Sequence, residues 1–335
     1  MLTIAIPTYN RADDLSVLLD AIVSQLADVT PGFVEVLISD NASTDNTKDV
    51  VQHYKCVFVE RHSSISYRCN SVNLGYSPNV DLAVCNSHGE FVLIMGDDDS
   101  LEPGTLAYLQ RVLDKHANID VLLLENIPYS NDLTERIGDN SGAISNRDDI
   151  TVFGDGVDYI SYHRGYPPAL VSGYLVRKSA WETANAKDFI TSISIHMLTV
   201  TRILLRHGCV CESHRQSIKY RVGQTRTTWS KDPLYPFRFY LDELSACRLF
   251  ADETTREIKR ILYRIPVRTI AFYLIRQKIM RHPFNRREFW KSYGKAVSDR
   301  NVYTVLIACI RYAPRLLVWM IFHRIVEKDI IRNGI

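Results

Sequence analysis

Residues 91–99 read Phe91-Val92-Leu93-Ile94-Met95-Gly96-Asp97-Asp98-Asp99, an apolar strand that runs directly into three carboxylates. A continuous apolar run is typical of a strand buried in a parallel sheet, and ligands of open α/β sheets bind just beyond the carboxyl ends of such strands. Adjacent carboxylates raise one another's pKa unless a cation compensates them, and their hard oxygen atoms suit Mg²⁺ or Mn²⁺. The segment therefore predicts a site for a divalent cation that would also carry a diphosphate.

Two further predicted strands also end in polar clusters. An isolated pair of aspartates after a strand would be best interpreted as solvated turn residues, but these additional clusters make that interpretation poorer. Leu2–Ile6 runs into Pro7-Thr8-Tyr9-Asn10-Arg11, and Val34–Ile38 runs into Ser39-Asp40-Asn41. Apolar residues recur at helical spacing from Leu15 to Leu26, which predicts an amphipathic helix between the two strands. A strand, a helix and a strand in this order predict a right-handed βαβ unit that places the two polar ends side by side.

Two more segments complete an ordered set of motifs. They are Asn73-Leu74-Gly75-Tyr76-Ser77-Pro78-Asn79 and the Gly89-Glu90 pair that leads into the acidic strand. Together with the three strand ends, they resemble the family 2 glycosyltransferases of the GT-A fold over about residues 2 to 125. The resemblance implies an α/β fold with a Rossmann-like nucleotide-binding sheet and helices on both faces.

The resemblance also implies roles for individual residues. Asp98 takes the position of the main metal ligand, with Asp99 beside it, whereas Gly96 stands where the family often has its first acid. Tyr9 would pack on the nucleobase, with plain core packing as the alternative. The residues expected at the donor nucleotide are Pro7, Tyr9, Arg11, Asp40, Asn41, Gly75 and Asp97. Either Asp40 or Asn41 would accept hydrogen bonds from the base, and the loop around Arg11 would contact ribose or phosphates.

The acceptor side is expected between Tyr166 and Gly208, with a strand at 171–176 and a helix at 197–206. An inverting sugar transfer needs a general base for the acceptor hydroxyl. In the resembled family this base is an acid before a helix that ends in glycine, and the corresponding position here is His196. Asp188 is the nearest upstream carboxylate. His196 as the base and His196 as a polar residue packed at a helix start remain open, and a solvated loop acid or helix N-cap is the alternative for Asp188.

The domain organisation is predicted from composition. Residues 1–228 would form the transferase domain, with a donor and metal half at 1–125 and an acceptor half at 126–228. Residues 130–158 are polar and rich in glycine, asparagine and aspartate, and we expect a flexible loop that closes over the substrate. Residues 229–335 would form a helical, basic, membrane-associating region.

Composition and the start of the chain predict a compartment. The 335 residues are 46% hydrophobic and 23% charged, as in globular proteins, and the seven cysteines contain no CxxC pair. We expect free thiols in a reducing compartment, and a core strand at Leu2 in place of a secretory leader. The expected location is therefore cytoplasmic.

Charge is distributed very unevenly along the chain. Residues 255–335 contain 18 lysine and arginine residues against 5 acidic ones, a net +13, whereas the remainder carries −11. Apolar and aromatic residues are interleaved with this charge, which favours an anionic membrane surface, with core helices that carry solvated basic faces as the alternative. The apolar run from Val302 to Phe322 is interrupted by Arg311, Pro314 and Arg315, so we expect it to lie on a membrane rather than span it. No nucleic-acid-binding motif accompanies the charge.

These inferences converge on a metal-dependent, inverting glycosyltransferase with Mn²⁺ or Mg²⁺ as cofactor. Its overall pattern is similar to bacterial O-antigen side-branch transferases, including the abequosyltransferase type that uses a CDP-linked dideoxyhexose. The acceptor implied is a polyprenyl-diphosphate-linked oligosaccharide at the inner face of the cytoplasmic membrane, met by basic-region residues such as Arg286, Arg287 and Trp319. A UDP- or dTDP-sugar transferase of capsule or exopolysaccharide synthesis is the second candidate. A nucleotide-binding scaffold without catalysis is the candidate from another class.

Overall fold

The computed structural model describes residues 1–137, 150–222, 235–250 and 252–280 of the chain. The chain divides into two compact units, Met1–Thr225 and Arg226–Ile335. Several features singled out from the sequence lie outside the described residues: the predicted boundary after residue 228, the run at 302–322, Arg286, Arg287 and Trp319.

Four parallel strands form one half of the sheet in the first unit. They are β1 (Leu2–Thr8), β2 (Val34–Asp40), β3 (Ser64–Cys69) and β4 (Phe91–Ile94). Every residue of β1, β2 and β4 is buried, as their continuous apolar sequences predict. Leu2 lies opposite both Val34 and Phe91, so the three central strands are in register. Their carboxyl ends, and the polar residues that follow, therefore meet at one edge of the sheet.

The other half of the sheet is mixed rather than parallel. It contains β5 (Ser100–Leu101), β6 (Val121–Tyr129), β7 (Ile150–Phe153), β8 (Tyr174–Arg177) and β9 (Val210–Arg221). The strand order is β3-β2-β1-β4-β8-β6-β9-β5, and β7 pairs with β9. The strand β8 runs antiparallel to both β4 and β6. The strand β8 thus lies between two strands that precede it in the chain.

Helices cover both faces of the sheet. Those of the first unit are α1 (Ala12–Val23), α2 (Thr47–Glu60), α3 (Tyr76–Cys85), α4 (Thr105–Lys115), α5 (Gly156–His163), α6 (Lys178–Thr183) and α7 (Ile195–Leu205). Helices α1, α2 and α4 share one apolar core with alternate residues of β1, β2 and β4. Helix α3 packs against β1, β2 and β4 as well. The other alternate residues of these strands, such as Ala5 and Leu37, are buried but are not part of the core that α1, α2 and α4 share. The predicted α/β fold of GT-A type is confirmed.

Some predicted bounds were wrong. The polar stretch at 130–158 is not one loop, because β7 and the start of α5 lie within it and β7 pairs antiparallel with β9; residues 138–149 are outside the described part. The strand expected from Val171 begins at Tyr174, since Gly173 takes a φ of +100° that a strand does not contain.

The second unit contains two described helices, α8 (Tyr235–Leu249) and α9 (Arg256–Met280), which pack against each other. Both follow the prediction of a helical carboxyl-terminal part, and α9 contains Pro266 in its interior. Across the described ranges, every helix is too short or too polar to pass through a bilayer.

Candidate active site

The carboxyl ends of β1, β2 and β4 bring the predicted site residues together. The backbone N–H of Asn41 donates to the carbonyl of Thr8 over 2.9 Å, and that of Met95 donates to Ala5 over 3.0 Å. Beyond these ladder contacts, the Thr8 hydroxyl donates to Asp97 Oδ2 over 2.7 Å. The end of β1 therefore directly contacts Asp97–Asp99, which we call the acidic turn.

The three aspartates of the turn occupy different environments. Asp97 and Asp99 are buried, whereas Asp98 is partly exposed. Asp99 Oδ2 accepts a hydrogen bond from the Ser172 hydroxyl over 2.5 Å, and its Oδ1 accepts one from the backbone N–H of Arg221 over 3.2 Å. Asp98 is thus the acid most open to a ligand, and its two neighbours are held by the protein.

The buried pair carries an unusual proton affinity. Burial, and next the charge of Asp98, raise the pKa of Asp97 to about 7, and the same two causes raise the pKa of Asp99 to about 7. Carboxyls with such values are only partly ionised at neutral pH. A cation bound at Asp98 would therefore favour the ionised form of both buried carboxyls.

Arg11 is the nearest cation in the described structure. Its Nη1 lies 2.5 Å from Asp98 Oδ2, and its Nε lies 3.7 Å from Asp97 Oδ1. The sequence suggested ribose or phosphate contacts for the loop around Arg11, but the structure places its guanidinium on the acidic turn. The sequence around Arg11, three residues after the end of β1, contains no pattern from which this contact could have been predicted.

Gly96 stands where the resembled family often has its first acid, and the surrounding atoms explain the departure. A Cβ at this position would lie 3.1 Å from Asp98 Oδ1 and 3.2 Å from Ser172 Oγ. The Gly96 N–H donates to the same serine hydroxyl over 2.9 Å. Ser172 thus fills the space of a side chain at residue 96, and sequence reasoning missed it because it lies 76 residues away.

The donor set of the turn fits a divalent cation that is completed by substrate. Mg²⁺ in such sites takes one or two carboxylates, with phosphate oxygens and waters as its other ligands. Asp98, with Asp99 or Asp97 beside it, provides that number of hard oxygen ligands. Within the described residues, no group of three or more His, Cys, Asp or Glu is arranged to hold a metal by itself.

The loops after β1 and β2 lie side by side, as the βαβ prediction requires. The Asn10 N–H donates to Ser43 Oγ over 2.8 Å, and the Thr44 N–H donates to Asn10 Oδ1 over 2.7 Å. Tyr9, between the strand and this contact, is 42% exposed, which contradicts the alternative that it is core packing. Pro7 is buried in β1 opposite Ser39.

Asp40 is buried and bound by the protein itself. Its Oδ1 accepts from the Ser43 N–H over 2.8 Å, and its Oδ2 accepts from the Tyr67 hydroxyl over 2.5 Å. The structure therefore uses this carboxylate to fix the turn after β2 and the end of β3.

Asn41 connects the end of β2 to the loop before α3. Its Nδ2 donates to Asn73 Oδ1 over 2.8 Å and to the Gly75 carbonyl over 3.0 Å, and its Oδ1 accepts from the Leu74 N–H over 2.9 Å. Gly75 has a φ of +88°, which favours glycine, and α3 begins directly after it. Asn79 supports the same loop by donating to the Ser39 carbonyl over 2.8 Å. These residues shape the loop beside the site.

His196, the first candidate base, is buried in the first turn of α7. Its Nε2 lies 2.9 Å from the Ala169 carbonyl, to which it donates, and Nδ1 has no hydrogen-bond partner in the described structure. Burial lowers the pKa of His196 to about 4, so the ring is neutral at pH 7. Its ring also packs edge-on against Tyr174, with centroids 5.2 Å apart.

Asp188, the second candidate, forms an ion pair with a buried arginine. Arg202 Nη1 of α7 lies 2.6 Å from Asp188 Oδ2, and Asn185 Nδ2 donates to Oδ1 over 3.0 Å. The arginine side chain is 3% exposed and the aspartate side chain 41%. Asp188 is therefore neither a freely solvated acid nor an N-cap, and the contacts described for Asp188 and His196 join neither residue to the acidic turn.

Comparison with known proteins places this geometry in a family. Residues 3–166 match the family model described as Glycosyl transferase family 2. Abequosyltransferase RfbV of Salmonella typhimurium is 30% identical over 216 residues, which cover 63% of each protein. The GalNAc(5)-diNAcBac-PP-undecaprenol beta-1,3-glucosyltransferase of Campylobacter jejuni is 28% identical over 148 residues, 44% of this chain and 42% of that protein. The chain thus spans less than two thirds of the length of either relative.

Solved structures show the same fold. The crystal structure of Staphylococcus aureus TarS 1-349 in complex with UDP-GlcNAc superposes with a TM-score of 0.66 at 18% identity, over 99% of this chain and 92% of that one. The fold, the ordered motifs and the family match agree. Residues 3–166 of this chain therefore form a glycosyl transferase family 2 domain.

Proposed function

We propose that this protein is a metal-dependent, inverting glycosyltransferase that moves a sugar from a nucleoside-diphosphate donor to a lipid-linked oligosaccharide. The observation that carries the proposal is the acidic turn at the carboxyl edge of a family 2 sheet. There, partly exposed Asp98 lies between two buried carboxyls of raised pKa. That arrangement supports Mn²⁺ or Mg²⁺ as the cofactor, with Asp98 and Asp99 as its ligands.

The acidic turn would assist departure of the nucleoside diphosphate in two ways, by holding a cation and by keeping its ligands in place. A divalent cation held there would neutralise the negative charge that develops on the diphosphate. Ser172 and the Arg221 backbone fix Asp99, and Thr8 fixes Asp97. This preorganisation is the contribution of the chain, because ligands that are already in place need not reorganise during the reaction.

The donor nucleotide would lie over the neighbouring loops. Tyr9 has the exposed ring that stacking on a nucleobase needs. Pro7, Asp40, Asn41 and Gly75 would form the surrounding wall, because their contacts fix the loops after β1 and β2 and before α3. Similarity to the abequosyltransferase supports a CDP-linked dideoxyhexose as donor. A UDP or dTDP sugar remains the second candidate.

For the acceptor hydroxyl, we propose His196 as the general base. Nδ1 carries the lone pair of the neutral ring and has no hydrogen-bond partner in the described structure. Because burial lowers the pKa of the ring to about 4, acceptor binding must open access to Nδ1 and raise this pKa for the ring to take the proton. Replacing His196 by asparagine should lower kcat by about a hundredfold or more, the usual contribution of a general base. Asp188→Asn should instead lower stability, because it removes the partner of buried Arg202, while leaving turnover of the folded enzyme nearly unchanged. A large loss of kcat in folded Asp188→Asn, with near-normal turnover in His196→Asn, would exchange the two roles.

The acceptor and location follow from the relatives and from charge. One relative carries PP-undecaprenol in its name and another is an abequosyltransferase, which supports a polyprenyl-diphosphate-linked oligosaccharide of O-antigen or lipopolysaccharide biosynthesis. The +13 charge of residues 255–335 supports peripheral binding to the anionic inner face of the cytoplasmic membrane.

The deciding experiment is thermal unfolding with CDP, UDP, dTDP or GDP, each with Mn²⁺ or with EDTA, followed by transfer assays with the matching sugar donor. A ligand that binds only the folded state raises its apparent stability. We expect one nucleotide to stabilise the protein only with Mn²⁺, and Asp98→Ala to abolish that response. Exposed Asp13→Asn is the charge-matched control and should keep it. Nucleotide stabilisation without any sugar transfer would instead support a non-catalytic scaffold, for which the glycine at residue 96 is the motivation.

A further inference from the structure

A fourth carboxylate, that of Asp14, lies near the acidic turn and has no part in the metal, nucleotide and base roles proposed above. Asp14, in the first turn of α1, is 8% exposed. Two arginines lie near its carboxylate, one at each oxygen. Arg221 Nη1 lies 2.9 Å from Asp14 Oδ1, and Arg11 Nη1 lies 3.9 Å from Asp14 Oδ2. Asp14 therefore connects the two arginines that contact the acidic turn.

The Arg221 side of this connection is rigid. Its side chain is buried, and Nη1 also donates to the Asn131 carbonyl over 2.9 Å. Its backbone N–H holds Asp99. Because Arg221 fixes Oδ1 of Asp14, the other oxygen of that carboxylate is left directed towards Arg11.

One nitrogen atom of Arg11, Nη1, lies near the carboxylates of both Asp98 and Asp14. Nη1 is in close contact with Asp98 Oδ2 at 2.5 Å, and the same atom is 3.9 Å from Asp14 Oδ2. A small rotation of the guanidinium would exchange the first partner for the second.

Electrostatic repulsion favours such an exchange if Asp98 binds a divalent cation. The oxygen that now accepts from Arg11 would bind the cation, and two positive charges would then lie within a few ångströms of each other. The guanidinium would then move away from Asp98 Oδ2. Asp14 Oδ2, 3.9 Å from Nη1, is a carboxylate oxygen that lies near the guanidinium besides Asp97 Oδ1.

We propose that Asp14 is a positioning residue that receives the Arg11 guanidinium when a divalent cation binds at Asp98. The inference rests on the proposed metal role of Asp98. Without a divalent cation, Arg11 neutralises the acidic turn through its contacts with Asp98 and Asp97. With cation, Asp14 holds Arg11 beside the donor site, and Arg221 keeps Asp14 in place.

The test is direct Mn²⁺ titration of the full-length protein, followed by loss of the paramagnetic resonance signal of free Mn²⁺. Asp14→Asn should raise the Mn²⁺ dissociation constant about tenfold, a coupling typical of residues in one ion-pair network. Asp13→Asn removes the same charge from the same helical turn on an exposed side chain, and we expect little change. Asp14→Glu, which keeps a carboxylate, should restore most of the affinity.

Arg11→Met provides the second measurement and separates the specific effect from simple loss of charge. Without a competing guanidinium, it should bind Mn²⁺ several-fold more tightly than the wild type, a change within the usual range of such couplings. In this background, Asp14→Asn should weaken binding no more than Asp13→Asn does. These variants also cover the case in which Asp14→Asn alone fails to fold.

Three results would overturn the inference. Equal effects of Asp14→Asn and Asp13→Asn in the wild-type background would remove the role of Asp14 while leaving the proposed metal site intact. An undiminished effect of Asp14→Asn in the Arg11→Met background, or weaker Mn²⁺ binding by Arg11→Met alone, would show that Asp14 does not act through Arg11. Absence of Mn²⁺ binding to the wild type, or unchanged binding by Asp98→Ala, would overturn the proposed metal role together with this inference.

Discussion

The three consecutive aspartates are one motif in the sequence but two kinds of group in the structure. Asp97 and Asp99 are buried and bound by Thr8 and Ser172, whereas Asp98 is partly exposed and contacts Arg11. The sequence predicted that all three lie at the end of a buried strand. It did not predict which of them is exposed, because that depends on residues from distant segments.

The first prediction concerns pH. Folding raises the pKa of Asp97 and Asp99 from 3.8 to about 7, so the folded state binds more protons than the unfolded state between these values. Their contribution to stability is fully present below pH 3.8 and is lost as the pH rises through about 7. In EDTA, the free energy of unfolding should therefore be lower at pH about 8.5 than at about 5.5, as measured by urea denaturation.

Variants of the same residues provide the control for this pH effect. Asp97→Asn and Asp99→Asn should each flatten the dependence, whereas exposed Asp13→Asn should leave it unchanged. Mn²⁺ should reduce the loss at high pH, because the ion binds the deprotonated carboxylates. A wild-type protein that is equally stable at both pH values in EDTA would contradict the raised pKa values.

The second prediction concerns the glycine before the aspartates. In Gly96→Ala, the new Cβ would press on Asp98 Oδ1 and Ser172 Oγ at 3.1 and 3.2 Å. The flexible end of Asp98 should move, so we expect about tenfold weaker Mn²⁺ binding and a stability loss of only about 1 kcal/mol. Gly154→Ala is the matched control, since no atom lies within 4 Å of its added Cβ. Unaltered Mn²⁺ affinity in Gly96→Ala would show that the turn has room for a side chain.

Among the structural elements, the connection from β2 to α3 shows how a single side chain fixes two segments. The resembled family usually has two acids at the end of this strand, and this chain has Asp40 followed by Asn41. The sequence left the reason open. In the structure, the amide of Asn41 donates to Asn73 Oδ1 and to the Gly75 carbonyl, which a carboxylate is unable to do.

The third prediction follows from that connection. Asn41→Asp should cost about 1–3 kcal/mol of stability, because it replaces two donated hydrogen bonds with repulsion between oxygen atoms in a buried place. Hydrogen exchange should accelerate at Leu74 and Gly75, whose loop depends on this side chain. Asp45→Asn, in the exposed loop after β2, is the comparison: it keeps one of the two oxygens that accept from Ala12 and from Thr47, and it should leave exchange at residues 74 and 75 unchanged. Unchanged exchange at residues 74 and 75 would contradict the role of Asn41.

The strand order shows where prediction from sequence reached its limit. The parallel strands β1, β2 and β4 and their helices follow from apolar periodicity and from short connections. The positions of β7 and β8 do not, since antiparallel pairing over long sequence separations is decided by packing of the complete sheet. The same limit applies to Arg11 and Ser172, whose contacts with the acids are also non-local.

For the whole molecule, the uneven charge provides the fourth prediction. The basic carboxyl-terminal region should bring the protein to anionic vesicles. We expect co-sedimentation with phosphatidylglycerol vesicles at about 0.1 M salt, where the screening length is about 10 Å, and release as salt is increased. Phosphatidylcholine vesicles are the control and should bind little protein. Equal binding to both lipids, or none to either, would contradict a charge-driven membrane contact.

The place of β8 in the sheet has a consequence for protein engineering. This strand pairs with β4 on one side and β6 on the other, although it follows both in the chain. A chimera joined at residue 125 would have to rebuild both strand interfaces with a foreign β8. The part of this chain before β8 and the part that contains β8 are therefore not interchangeable modules, and grafted segments should be confined to loops that leave β8 with its own neighbours.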